Sequence, residues 1–488
     1  MRRLIQLGSL VAIPVVAALA LGACTAAPKV DAGDLLARAS AAMGSASLKT
    51  LRYTAEGSGQ TFGQAFAPGG TWPKVTYPSW TRSIDYEAAA MRDEIVLERA
   101  EPQGGGGYPL EGRQRNDQFV AGNVAWNVAG NNVVPGARFV ADRVHQLWIT
   151  PHGVLQAAQR RGAVVAGGNA FTFEEPGRFR ARVSVDVRGL VTQVESVVSD
   201  AVLGDNTVVT QYDGYRDVGA GVMFPMRIRQ SSGGQPVLDL TVKDVQPNAA
   251  FTISVPEAAR NNAVERAIAE KVADGVWFIG GGTHNSVLIE MIDHLVLVEA
   301  PLNDARAAVV FDEVKRVAAG KPLRFVVNSH AHFDHSGGLR YAAGEGATIV
   351  THRANESYLE RVLSQPATVV PDRLARSGRK PRVQGVDDRA VLTDGQRTIE
   401  LHRIAGGPHN DAMLMVVLPK ERLLIEADAY TPLAIGAAPP AKPNANHVNL
   451  IENIERLSLG IDRILPLHGR VVPLAELYAT AGRTAPTR

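Results

Sequence analysis

Three histidines and an aspartate lie within the six residues from His330 to His335. This segment, His-Ala-His-Phe-Asp-His, follows the apolar run 323–327, which is typical of a buried strand. Because side chains alternate along an extended loop, His330 and His332 should point the same way. Asp334 and His335 can then turn toward a second, neighbouring point. Imidazole and carboxylate groups clustered in this way are typical metal ligands, so the segment predicts a site for two adjacent metal ions.

Three more candidate ligands follow in the last third of the chain. Each comes after an apolar run that predicts a strand, and they are His409, Asp428 and His468. Open α/β sheets place their ligand sites at the carboxyl ends of strands. We therefore expect these three side chains to join the His330–His335 segment.

The order of these motifs resembles the metallo-β-lactamase superfamily. Its hallmark is a His-x-His-x-Asp-His loop, followed by a glycine-flanked histidine, an acidic residue and a late histidine before glycine. The resemblance covers roughly residues 270–475 and implies two sets of metal ligands. They share a bridging Asp428, with His330, His332 and His409 for the first metal and Asp334, His335 and His468 for the second.

Nitrogen and oxygen donors without a thiolate favour zinc, with iron or manganese as alternatives. Two zinc ions per chain are expected, and such a pair activates water at neutral pH. The water would attack an ester, thioester, lactone, amide or phosphodiester. Asp334 and Asp428 are expected to be catalytic, because they balance the metal charge and can relay a proton. An aspartate at position 428 resembles the glyoxalase II, lactonase and phosphodiesterase branches, whereas true β-lactamases of this superfamily typically carry cysteine or serine there.

Two other functions stay open. One is a metal-dependent oxidoreductase on the same scaffold, such as a persulfide dioxygenase, which would need iron. The other is an envelope lipoprotein whose metal site is vestigial. Seven intact ligand candidates argue against the second, because a vestigial site has no reason to keep charged and imidazole groups together.

Other polar residues are candidates for contact with the ligands or the substrate. His284, Glu299 and His352 lie at the ends of predicted strands on the metal side, and Glu299 is suited to orient a ligand imidazole through its free N–H. Four histidines lack partners at ligand spacing and are expected to be structural: His145, His152, His294 and His402.

The amino terminus predicts export as a bacterial lipoprotein. Basic residues at positions 2 and 3 precede an apolar stretch at 7–21 that is short for a membrane span. The segment 21–24, Leu-Gly-Ala-Cys, resembles a lipobox, and Cys24 is the only cysteine in the chain. We therefore expect residues 1–23 to be a lipoprotein signal peptide and Cys24 to be lipidated. The mature protein would be anchored in the periplasm or cell envelope, at the outer membrane in a Gram-negative bacterium.

Length and charge set the remaining expectations. A chain of 488 residues is too long for one ordinary domain. Its formal net charge of +2 gives no indication of a nucleic-acid partner. The expected partners are a small-molecule substrate and, through the lipid, a membrane.

The predicted fold class is α+β, with a C-terminal αββα sandwich preceded by a mostly antiparallel β domain. Residues 25–255 contain alternating runs such as 181–187 and 190–198, which predict antiparallel strands with one wet face. A short helix before such a sheet resembles the half-barrels of periplasmic lipoprotein carriers. Residues 262–480 are expected to form the metallo-β-lactamase-like αββα domain, which would open with a helix at about 263–272.

Overall fold

The structure of the protein, a computed structural model, describes residues 32–101, 112–261 and 265–486. Cys24 and the predicted signal peptide (residues 1–23) lie outside the described residues. Within the described ranges, no helix is both long and apolar enough to cross a membrane.

Residues 32–247, called the β domain below, are built around a 13-stranded sheet whose neighbouring strands all pair antiparallel. The strands in chain order are β1 (Thr50–Gln60), β2 (Lys74–Asp85), β3 (Ala90–Arg99), β4 (Gln114–Ala121), β5 (Val124–Ala129), β6 (Asn132–Pro135), β7 (Val164–Val165), β8 (Ala170–Glu175), β9 (Phe179–Val185), β10 (Val191–Asp200), β11 (Gly204–Asp213), β12 (Arg216–Asp217), β13 (Met223–Phe224), β14 (Arg227–Ser232) and β15 (Gln235–Pro247). The sheet order is β6-β5-β4-β3-β2-β1-β15-β14-β11-β10-β9-β8-β7, and β12 and β13 pair separately.

The alternation of buried and exposed residues along the strands explains why the β domain forms a sheet with one covered face. In β9 and β11, buried residues alternate with more exposed ones, as expected for a sheet with one covered face. The covered face packs against α1 (Ala32–Met43), α2 (Val140–Trp148) and α3 (Gly153–Arg161), which contribute side chains to the same core. The predicted antiparallel β domain is therefore confirmed.

Residues 265–486, called the sandwich domain below, contain two further sheets. Their strands are β16 (Ile268–Ala273), β17 (Val276–Gly280), β18 (Ser286–Glu290), β19 (Leu295–Val298), β20 (Leu323–Val327), β21 (Thr348–His352), β22 (Arg382–Val386), β23 (Arg389–Thr393), β24 (Thr398–Arg403), β25 (Leu414–Leu418), β26 (Leu423–Glu426), β27 (Arg463–Pro466) and β28 (Val472–Pro473). The helices are α4 (Glu257–Asn261), which precedes this domain, and then α5 (Asp304–Val317), α6 (Phe333–Ser336), α7 (Leu339–Glu345), α8 (Arg353–Leu363), α9 (Arg373–Ser377), α10 (Ala445–Arg456) and α11 (Leu474–Thr480).

The two sheets of the sandwich domain pack face to face. Strands β16 to β22 form one sheet and β23 to β28 the other, each in sequence order. Apolar side chains from both sheets, such as Val296 and Leu401, share one core between them. Helices α5, α7 and α8 pack on the outer face of the first sheet, and α10 and α11 cover the second. This is the αββα arrangement that the sequence predicts.

The predicted helix at about 263–272 is wrong, because residues 268–273 form the edge strand β16. A two-residue turn, Asp274-Gly275, returns the chain into β17, and Gly275 has a φ of +64°. The Ala, Glu and Lys content of β16 favours a helix locally, but pairing with β17 overrides that preference.

Candidate metal centre

The segment from His330 to His335 leaves the carboxyl end of β20 and changes conformation midway. His332 is extended, with φ −62° and ψ 146°, and helix α6 begins at the next residue. The extended part brings His330 and His332 to one side, whereas the helical turn carries Asp334 and His335 to a neighbouring point. One short segment therefore serves two adjacent positions.

The first position is surrounded by four of the predicted side chains: His330, His332, His409 and Asp428. Their donor atoms all lie within 4.8 Å of one another. His409 Nε2 lies 3.0 Å from His332 Nδ1 and 2.8 Å from Asp428 Oδ2. His409 comes from the loop between β24 and β25, and Asp428 follows β26.

The second position is surrounded by Asp334, His335, His468 and His284, also within 4.8 Å of one another. His468, which follows β27, places its Nε2 3.1 Å from His335 Nε2. Asp428 Oδ1 lies 2.8 Å from His468 Nε2, whereas Oδ2 of the same carboxylate faces the first position. Oδ2 also lies 3.1 Å from His335 Nε2 of the second group, so the Asp428 carboxylate is placed between the two positions.

The donor atoms of these groups suit metal ions. The buried Nε2 of His330 has no hydrogen-bond partner among the described residues. Burial, reinforced by nearby His335, lowers the pKa of His330 to about 4, and burial together with His330 holds the pKa of His332 well below its usual range. Imidazole nitrogens and carboxylate oxygens that converge on two points in this way are the donor atoms that divalent metal ions bind in proteins. The residues present therefore fit divalent metal ions.

The carboxylates supply the negative charge that such ions need. Burial alone would raise the pKa of Asp428, but His335 and His409 outweigh it and hold that pKa well below the usual range. For Asp334, His335 and the hydrogen bond from His284 outweigh burial in the same way. Both aspartates are consequently ionised at neutral pH.

Glu299 holds the rings of His330 and His335 in place from the side away from the metal positions. This fully buried carboxylate places Oε2 2.7 Å from His335 Nδ1, and its Oε1 accepts from the backbone N–H and the hydroxyl of Ser329. The Ser329 hydroxyl lies 2.9 Å from His330 Nδ1. With Nδ1 engaged in each ring, Nε2 of His330 and His335 is turned toward the metal positions. Glu299 also has a φ of +64°, a strained conformation for a residue with a side chain.

His284 and His352, which the sequence predicts near the ligands, take different positions in the structure. His284 joins the second group directly, with Nε2 3.2 Å from Asp334 Oδ2 and Nδ1 2.9 Å from the Thr283 hydroxyl. His352 does not join either group. Its Nδ1 accepts from the N–H of Ala354 and thereby caps α8, and its Nε2 lies 3.4 Å from Asp388. The extended backbone at the end of β21 suits an N-cap, which explains this different role.

A loop of the β domain covers the first metal position. The loop (residues 61–73) joins β1 to β2, and its Ala65 carbonyl lies 2.9 Å from His332 Nε2. A carbonyl only accepts, so the contact requires His332 to carry its proton on Nε2 and leaves Nδ1 free as a ligand atom. Gln64 donates to Asp334 Oδ1 at 2.8 Å. The β domain thus helps to set both the tautomer of one candidate ligand and the orientation of another.

Sequence reasoning missed this loop, although it has two local signals. It is long for a connection between antiparallel neighbours, and it is rich in Gly, Phe and Pro. Gly63, with a φ of +75°, lies against the ring of Phe333, so that a Cβ there would collide with the ring. Its carbonyl accepts from the Phe333 N–H at 3.2 Å. These contacts show why the loop needs glycine at this position.

Replacing Glu299 by glutamine is expected to lower metal affinity by at least about tenfold. An amide offers one acceptor and one NH₂ group, whereas this position faces an imidazole N–H, a backbone N–H and a hydroxyl. The amide NH₂ would then face another hydrogen-bond donor instead of an acceptor. The rings of His330 and His335 would lose the contacts that orient them. Metal affinity is measured by competition with a chromophoric chelator.

The matched control is Glu290→Gln at the end of β18. Its carboxylate pairs with the partly exposed Lys321 and does not belong to either metal group. Equal metal affinities of the wild type and the Glu299→Gln variant would contradict the anchoring role.

The part of the chain that carries these groups matches a known protein family. Residues 279–468 match the pattern of the Metallo-beta-lactamase superfamily, which is less than half of the chain. Curated proteins gave no match. Similar solved structures include DIM-1 metallo-β-lactamase exposed to ceftazidime, with 18% identity over 45% of this chain and 96% of that one, at a TM-score of 0.34. A metallo-β-lactamase from Pontibacter korlensis is 16% identical over 44% and 98% of the two chains, at a TM-score of 0.35. FIM-1 from Pseudomonas aeruginosa, in a mono-zinc form, is 17% identical over 45% of this chain and 95% of that chain, at a TM-score of 0.33.

Proposed function

We propose, from the premise that residues 279–468 form a metallo-β-lactamase superfamily domain, that this protein is a hydrolase with a two-metal centre. The single observation that carries the proposal is the position of Asp428. Its two oxygens lie 2.8 Å from His409 and 2.8 Å from His468, which belong to separate groups of metal-binding side chains. A carboxylate placed between two groups of ligands is suited to bind two adjacent metals.

The donor set identifies the residues and the metal that we propose. His330, His332 and His409 would hold one ion and Asp334, His335 and His468 the other, with His284 as a further nitrogen beside the second. Imidazole and carboxylate donors without a thiolate suit zinc, and iron and manganese are the alternatives that an analysis of metal content would separate. Metals held there supply Lewis acidity and a nucleophilic water at neutral pH.

The protein's own groups account for the rest of the proposed reaction. Asp334 and Asp428 are ionised and lie beside the two positions, so each is placed to accept a proton as water attacks. The 61–73 loop covers His332 and limits access of bulk water from that side. The proposed substrates are an ester, thioester, lactone, amide or phosphodiester, because all of these develop negative charge on oxygen when attacked.

Metal content tests the proposal directly. Protein comprising residues 25–488, purified after growth with zinc, is expected to carry about two equivalents of metal per chain by elemental analysis. It should also hydrolyse at least one member of a panel of thioesters, lactones, phosphodiesters and cephalosporins. Dialysis against a chelator should remove the activity, and zinc should restore it. Trace metal only, in protein that is folded by circular dichroism, would rule out the hydrolase.

We also propose that the mature protein is a lipid-anchored component of the bacterial envelope. The support is the lipobox-like segment 21–24 with its single cysteine. Acyl chains on Cys24 would hold the protein at a membrane, because each buried methylene contributes about 0.8 kcal/mol.

Cys24→Ser is expected to move the protein from the membrane fraction to the soluble fraction, because it removes the only thiol available for acylation. Fractionation and mass spectrometry of the mature amino terminus measure this, and Thr25→Ser is the neighbouring control. Wild-type protein that is fully soluble and carries no acyl group would refute the anchor.

A further inference from the structure

A cavity of about 710 Å³ lies inside the β domain and extends to the metal groups. Strands β2, β3, β10, β11 and β15 and helix α2 provide most of its wall. Asp334 and His284, both members of the second metal group, line it as well. The cavity and the second metal position are therefore one continuous space.

Most of the surface that the wall exposes to the cavity is apolar, although charged residues such as Asp142 and Arg178 also line it. Alternate residues of the strands face it, including Tyr77, Ile95, Leu97, Val198, Val208 and Leu238. An apolar wall of this kind favours hydrocarbon over a hydrogen-bonding solute.

Several polar side chains in the same wall are paired with one another. Arg82 forms two hydrogen bonds of 2.7 Å with Asp93, and both residues are buried. Asn206 donates to Ser232 at 2.9 Å, and Gln146 donates to Gln230 at 3.2 Å. Polar groups satisfied in this way need no partner from an occupant.

The end of the cavity near the metals offers polar and charged groups. Arg138 donates to Thr283 at 3.0 Å and forms no ion pair within the described ranges, so its charge is available to an occupant. Gln60, at the end of β1, has a buried Oε1 with no hydrogen-bond partner among the described residues. Between this polar end and the apolar wall, Phe62 and Phe333 also line the cavity, and their rings meet edge to face with centroids 5.2 Å apart.

We propose that the substrate is an amphiphile whose hydrocarbon chain occupies this cavity while its scissile ester or phosphodiester lies at the metal groups. The inference rests on the proposed hydrolase function and names the substrate class for that same site. The volume lies within the range of roughly 300–1,000 Å³ that is usual for small-molecule sites. An apolar chamber that ends at a charged metal site matches a molecule with one apolar and one polar end.

Binding of dansyl-undecanoic acid, a fluorescent single-chain amphiphile, tests the cavity without any catalysis. We expect saturable binding with a blue-shifted emission, in the wild type and also in the His332→Ala variant. Val198→Trp should weaken binding by at least about tenfold, because it fills the apolar space. Val197→Trp is the matched control, because Val197 faces the other side of β10 and does not line the cavity.

Turnover tests the same idea with substrates. Wild-type kcat/KM should be at least about tenfold higher for p-nitrophenyl dodecanoate than for the acetate, or for p-nitrophenyl dodecyl phosphate than for the methyl phosphate. Val198→Trp should remove this preference, whereas the control Val197→Trp should keep both the preference and the rate on the short substrate.

The two proposals fail in different ways. Hydrolysis of short and long substrates at equal rates, with no saturable binding of the dansyl probe, would overturn the inference and leave the hydrolase in place. Tight probe binding with no hydrolysis of any substrate by metal-loaded protein would overturn the hydrolase, and with it the claim that the occupant is a substrate. Probe binding unaffected by Val198→Trp would overturn the inference, because the probe would then bind elsewhere.

Discussion

His332→Ala is expected to lower kcat/KM by at least about a thousandfold for any substrate that the protein hydrolyses, or roughly 4 kcal/mol in the activation barrier. Its Nδ1 faces His409 in the first metal group, and its Nε2 is held by the Ala65 carbonyl. Removal of the ring leaves the first metal with one nitrogen fewer. Asp334→Ala should have an effect of the same size, because Asp334 belongs to the second group. Steady-state kinetics and elemental analysis of the same preparations measure the two consequences together.

The control for both variants is His402→Ala. His402 is also buried, but its Nε2 contacts Glu400 on its own strand at 2.8 Å, and it belongs to neither metal group. Near wild-type rate and metal content are expected for this variant. Wild-type kinetics after His332→Ala or Asp334→Ala would mean that hydrolysis does not take place at these groups.

The fold could be predicted from the sequence because it follows from the local periodicity of apolar residues. Alternation along β9 and β11 depends only on which face is covered, and the apolar runs of β25 and β26 depend only on burial from both sides. The edge strand β16 is different. It is exposed on much of its surface, so burial leaves little pattern in its sequence, and its composition favours a helix.

The clustering of the candidate ligands was predictable for a similar reason. His330 to His335 are neighbours in the sequence, and His409, Asp428 and His468 follow strands whose ends meet at one edge of the sandwich. His352 also follows such a strand, yet its ring turns toward the first turn of α8. A strand end indicates which region a residue occupies, but the side-chain direction depends on the next element.

The contribution of the β domain could not be predicted from spacing. Ala65 reaches His332 through a backbone carbonyl, which any residue carries, and 267 positions separate the two in the sequence. Gln64 and Asp334 are similarly distant, with a separation of 270. Contacts of this kind arise from the packing of two domains and leave no motif. They also mean that the sandwich domain alone lacks part of the wall of its own site, so the two domains should be tested as one chain.

Asp428→Ala is expected to abolish hydrolysis and to reduce the metal content below two equivalents. The substitution removes the oxygens that lie 2.8 Å from His409 and 2.8 Å from His468, and these are the atoms placed to join the two metals. The buried imidazoles would then face one another without the carboxylate between them. Elemental analysis and kcat/KM for the best substrate of the panel measure the two effects, and Asp411→Ala, a change of an exposed aspartate in the loop after His409, is the control.

Asp428→Cys separates charge from ligand chemistry at the same position. A thiolate retains the negative charge and binds zinc, but it is softer than a carboxylate and has one donor atom where Asp428 has two. We therefore expect metal binding to survive while hydrolysis of the native substrate falls, by at least about tenfold. Unchanged rate and metal stoichiometry in both the alanine and the cysteine variant would show that Asp428 does not bridge metals. The main argument for an esterase-, lactonase- or phosphodiesterase-type substrate over a β-lactam would then be lost, because it depends on an aspartate acting as the bridge.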